Sequence, residues 1–587
     1  VAPEYFFSDV SQLTNNVFFN TDKINFTFGT DLMYSRLDSR YGSEVNGRFF
    51  FTGLDNFENL APYRYVREIP LVEDPSVQQQ FINAGVYAQM QTKLAKGLDI
   101  MAGIRADYTT YLDKPNFNQT VYDDLGLRTD HSLNTFQLQP RAQLTWDVGE
   151  RQKDIVRFGG GIFGSDILNY TMINNMVFDG TKLASVDITN SAARPNLVPR
   201  PDFPGYRNNP ATTPGVELFD LPGVRRLSTI NLNRQDVRIP VVYKANFSYN
   251  RFITERLRVG ASAYLSLARN NYMYTDANMV DQPYFRLANE GNRGVYVPAS
   301  TISPTNGVAD WTLGRKTERV GRVLALNSDG KVNQYALVLD ATFHYLKDGE
   351  LSASYTYNDT KDNTSYNGNV ANTATLFQPV RDDPRDLSNI TASDNQFRNK
   401  LVLYGTLPTY YGVSVGVRYS GIGGTRYSLL AGGNVNGDFV ASNDLAYVFD
   451  PNDPTVPEPI RAGIQGILDN PNASPSLKNY VRRSIGKVAE RNGGVNAFYG
   501  QFDIRVAKRF KTFGSQFVEF SGDLFNVANF LNKKNGVIET LGSQSLYSIA
   551  GFNPATSTYN YNVNANAGVV TPSGNPFQFQ LGLRYGF

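Results

Sequence analysis

The last eleven residues, Phe577-Gln578-Phe579-Gln580-Leu581-Gly582-Leu583-Arg584-Tyr585-Gly586-Phe587, alternate apolar and polar without a break and stop on an aromatic. Successive side chains of a strand point to opposite faces. Phe577, Phe579, Leu581, Leu583, Tyr585 and Phe587 therefore make one apolar face, and the residues between them a polar one. An edge strand of a soluble β-sandwich accounts for the alternation but not for the terminal Phe587. A strand with one face in lipid and the other in a wet lumen accounts for both.

The same period recurs along the chain. Ile24, Phe26, Phe28, Leu32 and Tyr34 form one apolar row, and Leu98, Ile100, Ala102, Ile104 and Tyr108 another. Phe136, Leu138, Ala142, Leu144, Trp146 and Val148 form a third, with Gln137, Gln139, Arg141, Gln143 and Thr145 between them. Odd positions are apolar over Val241–Tyr249, Leu257–Leu267, Tyr335–Tyr345, Leu351–Tyr357 and Val413–Tyr419. Phe502, Ile504, Val506 and Phe510 interleave with Asp503, Arg505 and Arg509, and Val518, Phe520 and Leu524 with Glu519, Ser521 and Asp523. A soluble sandwich does not need charges on the inner face of so many strands, whereas a water-filled barrel does. No window approaches the 18 or more consecutive apolar residues of a spanning helix, so a membrane would be crossed by strands. The expected fold is all-β, a transmembrane outer-membrane β-barrel with long extracellular loops carrying short helices. A mean hydropathy of −0.35 is no objection, because only half of each strand meets lipid. The 35 Tyr and 38 Phe suit interfacial girdles. Cysteine is absent, which excludes disulfides and thiolate chemistry, and a net charge of +2 disfavours a nucleic-acid partner.

Connections alternate between tight and long. Tight ones fall at 20–22, 94–97, 149–154, 253–256, 346–349, 407–412 and 511–514; long ones at 111–132, 165–236, 274–333, 361–396, 425–496 and 529–575. Short periplasmic turns and long outer loops are the outer-membrane pattern. Taking 46–52 and 62–69 as a further strand pair around a helix-like Leu54–Leu60 gives about 17 strands, with 319–332 open as one more hairpin. An odd count makes first and last strands parallel, whereas single-chain bacterial barrels have even numbers. The expectation is that residues 1–587 are one partial barrel domain, that an odd number of strands, five of 22, precedes Val1, and that 576–587 do not pair with 11–20. The opening Val-Ala-Pro-Glu shows no export signal, in keeping with a start inside a longer protein.

Few residues offer chemistry. The two histidines, His131 and His344, read as rim and lumen residues, and no spacing supports zinc. Gly159-Gly160-Gly161-Ile162-Phe163-Gly164 lacks the Gly-Lys-Ser/Thr and following helix of a phosphate loop and suits a close approach in a barrel wall. Asp382, Asp383 and Asp386, and Asp450 with Asp453, suit either calcium or solvated turns, of which turns fit better. Spacing turns helical over Pro457–Ile464 and again from Ser474 to Arg491, with Ser474 or Ser476 as cap. The second piece is basic through Lys478, Arg482, Arg483, Lys487 and Arg491; it reads as a solvated lid helix or as a contact for substrate or lipopolysaccharide. No catalytic constellation, cofactor site or metal site is expected.

Asn443-Asp444-Leu445-Ala446-Tyr447-Val448, Glu490-Arg491-Asn492, Asp503-Ile504-Arg505-Val506-Ala507-Lys508-Arg509-Phe510, Asp523-Leu524-Phe525-Asn526-Val527-Ala528-Asn529-Phe530-Leu531-Asn532 and the terminal Phe587 follow in an order that resembles the C-terminal part of TonB-dependent outer-membrane receptors, in particular the Oar-like branch of Bacteroidota, related to the SusC-like importers. The resemblance implies a 22-stranded barrel plugged by an N-terminal domain and transport of a large or scarce substrate, driven by a TonB-ExbB-ExbD complex. It also implies a surface lipoprotein or other outer-membrane protein as partner, and a barrel-assembly signal in the row Phe577 to Phe587. Neither plug nor TonB box occurs in these residues. A passive or protein-secreting channel, or a structural docking partner, is the alternative.

Overall fold

A computed structural model describes residues 5–40, 42, 45–164, 169–190, 196–222, 224–309, 311–365, 371, 378–386 and 388–587. Seventeen strands hydrogen-bond into one sheet, the number expected. Fifteen are the long strands of the wall: β1 Tyr5–Asn20, β2 Ile24–Arg40, β3 Val77–Ala95, β4 Leu98–Tyr111, β5 Thr135–Asp147, β6 Asp154–Gly164, β7 Val241–Phe252, β8 Leu257–Asp276, β9 Val323–Tyr345, β10 Gly349–Asp362, β11 Asn399–Thr406, β12 Val413–Gly423, β13 Tyr499–Lys511, β14 Phe517–Phe525 and β15 Gln578–Gly586. Each pairs antiparallel with the next in chain order. The other two members are short. Ile230–Asn233 lies parallel on 323–326, and Thr391–Ala392 caps 361–362.

The segments 46–52 and 62–69 are not in this sheet, a correction to the expected pairing. Arg48–Phe50 and Arg64–Pro70 have 3 and 7 residues, against roughly 9–11 for a spanning strand. They pair instead with Leu183–Thr189 in a three-stranded sheet at the long-loop end, closed by Tyr65, Ile69, Val186 and Ile188. The helix between them does form, as α1 at Leu54–Glu58. The region 319–332 is no hairpin either: β9 is one strand of 23 residues. Its first residues, Val323, Leu324, Ala325 and Leu326, are all buried, because both of their faces are covered. With these corrections every turn at one end is short and every loop at the other is long.

The register sorts the two faces. Val417, Ile504, Leu524 and Phe579 stand side by side across four strands, as do Phe520 and Leu583. Leu581 and Leu583 are 76% and 70% exposed, as an apolar band against hydrocarbon requires. One residue over, Arg505, Asp523 and Gln580 form the opposite row. Arg505 and Arg509 bond there to Asp523 and Glu519 at 2.9 and 2.8 Å. Those charges face the lumen, as the alternation predicts.

Fifteen strands put β1 and β15 in the same direction, and among the described residues neither pairs with the other: β1 pairs as a strand only with β2, and β15 only with β14. All sixteen residues of β1 are exposed, on both faces.

Candidate functional site

The long loops fold into a cap with its own interior. The largest apolar cluster joins three loops through Leu287, Val295, Leu429, Val448, Tyr547 and Phe552. Two helices cover it, α2 Glu458–Asp469 and α3 Pro475–Ser484. They exist because Ile460, Ile464 and Ile467, then Leu477, Tyr480 and Val481, recur at helical spacing and find this core. Ser474 caps α3, its hydroxyl accepting from the Ser476 N–H. A second cluster lies inside the barrel mouth. The helix Asn169–Val177 buries Met172, Ile173 and Val177 against Leu37, Phe81 and Tyr111, which occupy the lumen rows of β2, β3 and β4.

Two buried guanidinium centres hold the cap. Arg293 is fully buried, 3.5 Å from Glu290 and 3.4 Å from Asp444, and donates to the Leu445 carbonyl. The Tyr561 hydroxyl donates to Glu290 at 2.7 Å, and the Val435 N–H to Asp444 at 2.7 Å. Beside them Asn443 donates to Asp438 at 2.6 Å. Burial raises the carboxyls of Glu290, Asp438 and Asp444 above their ordinary range; Arg293 opposes this at Glu290 and Asp444. The other centre is Arg491, at 7% exposure. It meets Asp362 at the top of β10 at 2.6 Å and donates to Ser365, Gln378 and Thr391 at 3.3, 3.2 and 3.0 Å. One side chain thus ties the cap to the wall. Its neighbour Asn492 donates to the Ala392 carbonyl and exchanges bonds with Ser428.

The residue groups singled out by resemblance are therefore contacts of one assembly. Asn443-Asp444 and Glu490-Arg491-Asn492 supply the cap's polar centres. The segments from Asp503 and from Asp523 pair across β13 and β14. At the end of β14, Asn526 takes a left-handed φ of 54°, starting the short helix Val527–Leu531. Its N–H donates to Asp503, and its side chain to the carbonyls of Gly536 and Asn575.

Other expected residues fall apart. Arg482, Arg483 and Lys487 are exposed as the solvated-lid reading requires, but Arg491 is buried; a lone-sequence charge run does not reveal its buried partner Asp362. His344 lies beside Glu350, 3.6 Å away, at the short-turn end, while His131 sits in the loop 112–134, where burial lowers its pKa. They share no site. Asp383 pairs with Arg385 at 2.9 Å, Asp386 accepts from Ser388, and Asp450 and Asp453 from Asn452 and Thr455. Among the described residues no group of three or more His, Cys, Asp or Glu is placed to hold a metal. Phe577 precedes β15 and packs on Phe530, ring centroids 5.1 Å apart; Phe579, Leu581, Leu583, Tyr585 and Phe587 are exposed. The cap carries a cavity of about 810 Å³, open to solvent and lined by Arg381, Asp382, Asp386, Asn389, Lys487 and Glu490, in the range of ligand sites. Nothing in the sequence pattern predicts it, since it draws on loops roughly a hundred residues apart.

Residues 2–580 match the family described as an outer membrane beta barrel domain. The chain belongs to that family. It is accordingly a protein of the outer membrane, with the short turns on the periplasmic side and the cap outside. No curated protein matches it. Solved structures similar to it include the outer membrane transporter YddB from Escherichia coli, at 10% identity and TM-score 0.46 over 99% of this chain and 55% of that one. The copper transporter OprC matches at 10% and 0.46 over 99% and 58%, and the FrpB iron transporter from Neisseria meningitidis at 9% and 0.43 over 99% and 56%. The chain thus spans a little over half the length of these proteins.

Proposed function

We propose that this chain is the wall and extracellular cap of a TonB-dependent outer-membrane transporter of the Oar-like type, taking a large or scarce substrate first at the cap cavity and then through the lumen. The observation that carries the reading is the junction of cap and wall at Arg491–Asp362. A folded cap with an apolar core and buried ion pairs, set over a charged lumen, suits capture of a specific substrate better than free diffusion. The order of the residue groups around that junction resembles TonB-dependent receptors. The proteins to which the chain is similar bear transporter names.

The free edges of β1 and β15 support a larger barrel. An unpaired edge in hydrocarbon leaves N–H and C=O groups that cost several kcal/mol each. Further strands, and on the resemblance a plug and a TonB contact, complete the working protein. Energy then comes from a TonB-ExbB-ExbD complex, with lipid and lipopolysaccharide around the wall and a surface lipoprotein or other outer-membrane protein as a fitting partner for the cap. The row Phe577 to Phe587 is proposed as the barrel-assembly signal. No catalytic role is proposed.

The test uses the whole protein as encoded, reconstituted in planar bilayers. The transporter reading expects a closed lumen and, in cells, a growth or uptake function lost on deleting TonB. A stable, wide conductance without any energised partner would establish the passive or secretory channel instead.

A further inference from the structure

Lumen-facing arginines of this wall are matched by carboxylates at several points: Arg105 by Asp107 at 2.6 Å, Arg258 by Asp340 at 3.0 Å, Arg505 by Asp523 and Arg509 by Glu519. The inner surface of β5, β6 and β7 departs from that rule. Arg141 on β5 and Lys244 on β7 both stand in register with Gly161 of β6, one from each side. Among the described residues neither has a carboxylate within ion-pair distance. Arg141 donates to the Gln139 amide oxygen at 3.2 Å, and both cations lie over the Phe163 ring, at 4.7 and 5.3 Å from its centroid. One step along, Gln143 and Asn246 flank Gly159 in the same way.

The two glycines make the hollow. A Cβ at Gly161 would lie 2.7 Å from the Arg141 Cβ and 2.8 Å from the Pro140 carbonyl oxygen, and one at Gly159 2.9 Å from the Asn246 amide oxygen, so a larger residue at Gly161 would press on the β5 main chain as well as on the Arg141 side chain. Around the hollow is a cavity of about 550 Å³, reaching Tyr264 and Gln334 on the next strands. Two like charges held near one ring repel each other; the ring's negative face offsets only part of that. A guanidinium, an ammonium and two side-chain amides around a hollow with no carboxylate form a donor set for an oxyanion.

We propose that this hollow is a lumenal subsite for the carboxylate or phosphate group of a small anionic solute passing along the wall. The inference rests on the transport reading for its purpose, but not for its test. Purified whole protein is titrated with citrate and, separately, with inorganic phosphate by isothermal titration calorimetry. The double variant Arg141→Gln/Lys244→Gln should weaken binding by roughly ten- to a hundredfold, as expected for loss of charge-assisted hydrogen bonds. Gly161→Leu should do the same with both charges retained. Arg509→Gln, on the far part of the wall, should leave binding unchanged, and heat-modifiable migration of each variant reports that the barrel has folded. Binding to citrate alone or phosphate alone identifies which oxyanion is held. Failure of the wild-type protein to bind either anion, or equal affinity in the double variant, would overturn the proposal: the cations would then serve a carboxylate of another protein segment in the lumen. Loss of energised uptake with anion binding intact would count against the transport reading only.

Discussion

Arg491 shows how a single residue decides a boundary in this molecule. Its guanidinium has carboxylate, hydroxyl and amide partners and almost no water. Breaking a buried ion pair from one side costs about 3–5 kcal/mol, because the other charge stays behind. Arg491→Ala should therefore loosen the cap by about that amount while the wall stays folded. Limited proteolysis should show faster cleavage in 427–495 with unchanged heat-modifiable migration. A Lys at this position should recover little, since an ammonium cannot reproduce the planar fork. The carboxyls around Arg293 give a pH dependence. Burial raises Glu290, Asp438 and Asp444 in the folded cap. A raised folded pKa contributes stability that is complete below the unfolded carboxyl range, near pH 4, and declines as pH rises towards the folded values. Hydrogen exchange in the cap segments 290–297 and 435–448 should be slower at pH 5 than at pH 8, after correction for the intrinsic rate, and Asp438→Asn should flatten the difference.

At the scale of elements, the last strand separates lipid from lumen within one residue. Leu581→Arg puts a charge in the apolar band and should cost about 2–4 kcal/mol at mid-membrane, whereas Gln580→Arg, beside Asp523, should be close to neutral. Folding into lipid vesicles measures both. If the assembly-signal proposal holds, Phe587→Asp should lower membrane yield far more than Gln578→Asp. These strands were legible in the sequence because one face meets hydrocarbon and the other water, which imposes a strict period of two. The same logic explains the misplaced pair at 46–52 and 62–69: alternation reports a two-sided environment, and a small sheet in the cap supplies one without any membrane. It also explains the late predicted start of β9, since Val323 to Leu326 are covered on both faces and lose the period. The helices α2 and α3 were legible from 3.6-residue spacing, but the second stops at Ser484 instead of reaching Arg491, and Lys487–Val488 is a short strand. The cavity of the cap and the Arg293 and Arg491 centres were not, because their partners come together only when distant loops fold.

On the scale of the whole molecule, the strand directions bear on what surrounds this chain. Fifteen consecutive antiparallel strands return the wall to its starting direction, and β1 and β15 remain open edges. On the proposal of a larger barrel, further strands stand between them in the membrane. Residues 1–587 contain no cysteine, so paired cysteines introduced here meet no competing thiol within these strands. With one at Thr14 in β1 and one at Gln580 in β15, both on the lumen row, disulfide formation is scored in the outer membrane of cells making the whole protein, with Thr14 and Asp31 of β2, partners in register, as the positive control. A larger barrel gives an efficient Thr14–Asp31 cross-link and none between Thr14 and Gln580, nor between neighbouring lumen-row positions such as Gln12 and Gly582. An efficient cross-link joining β1 to β15 would show that these fifteen strands close on themselves and would contradict the larger barrel.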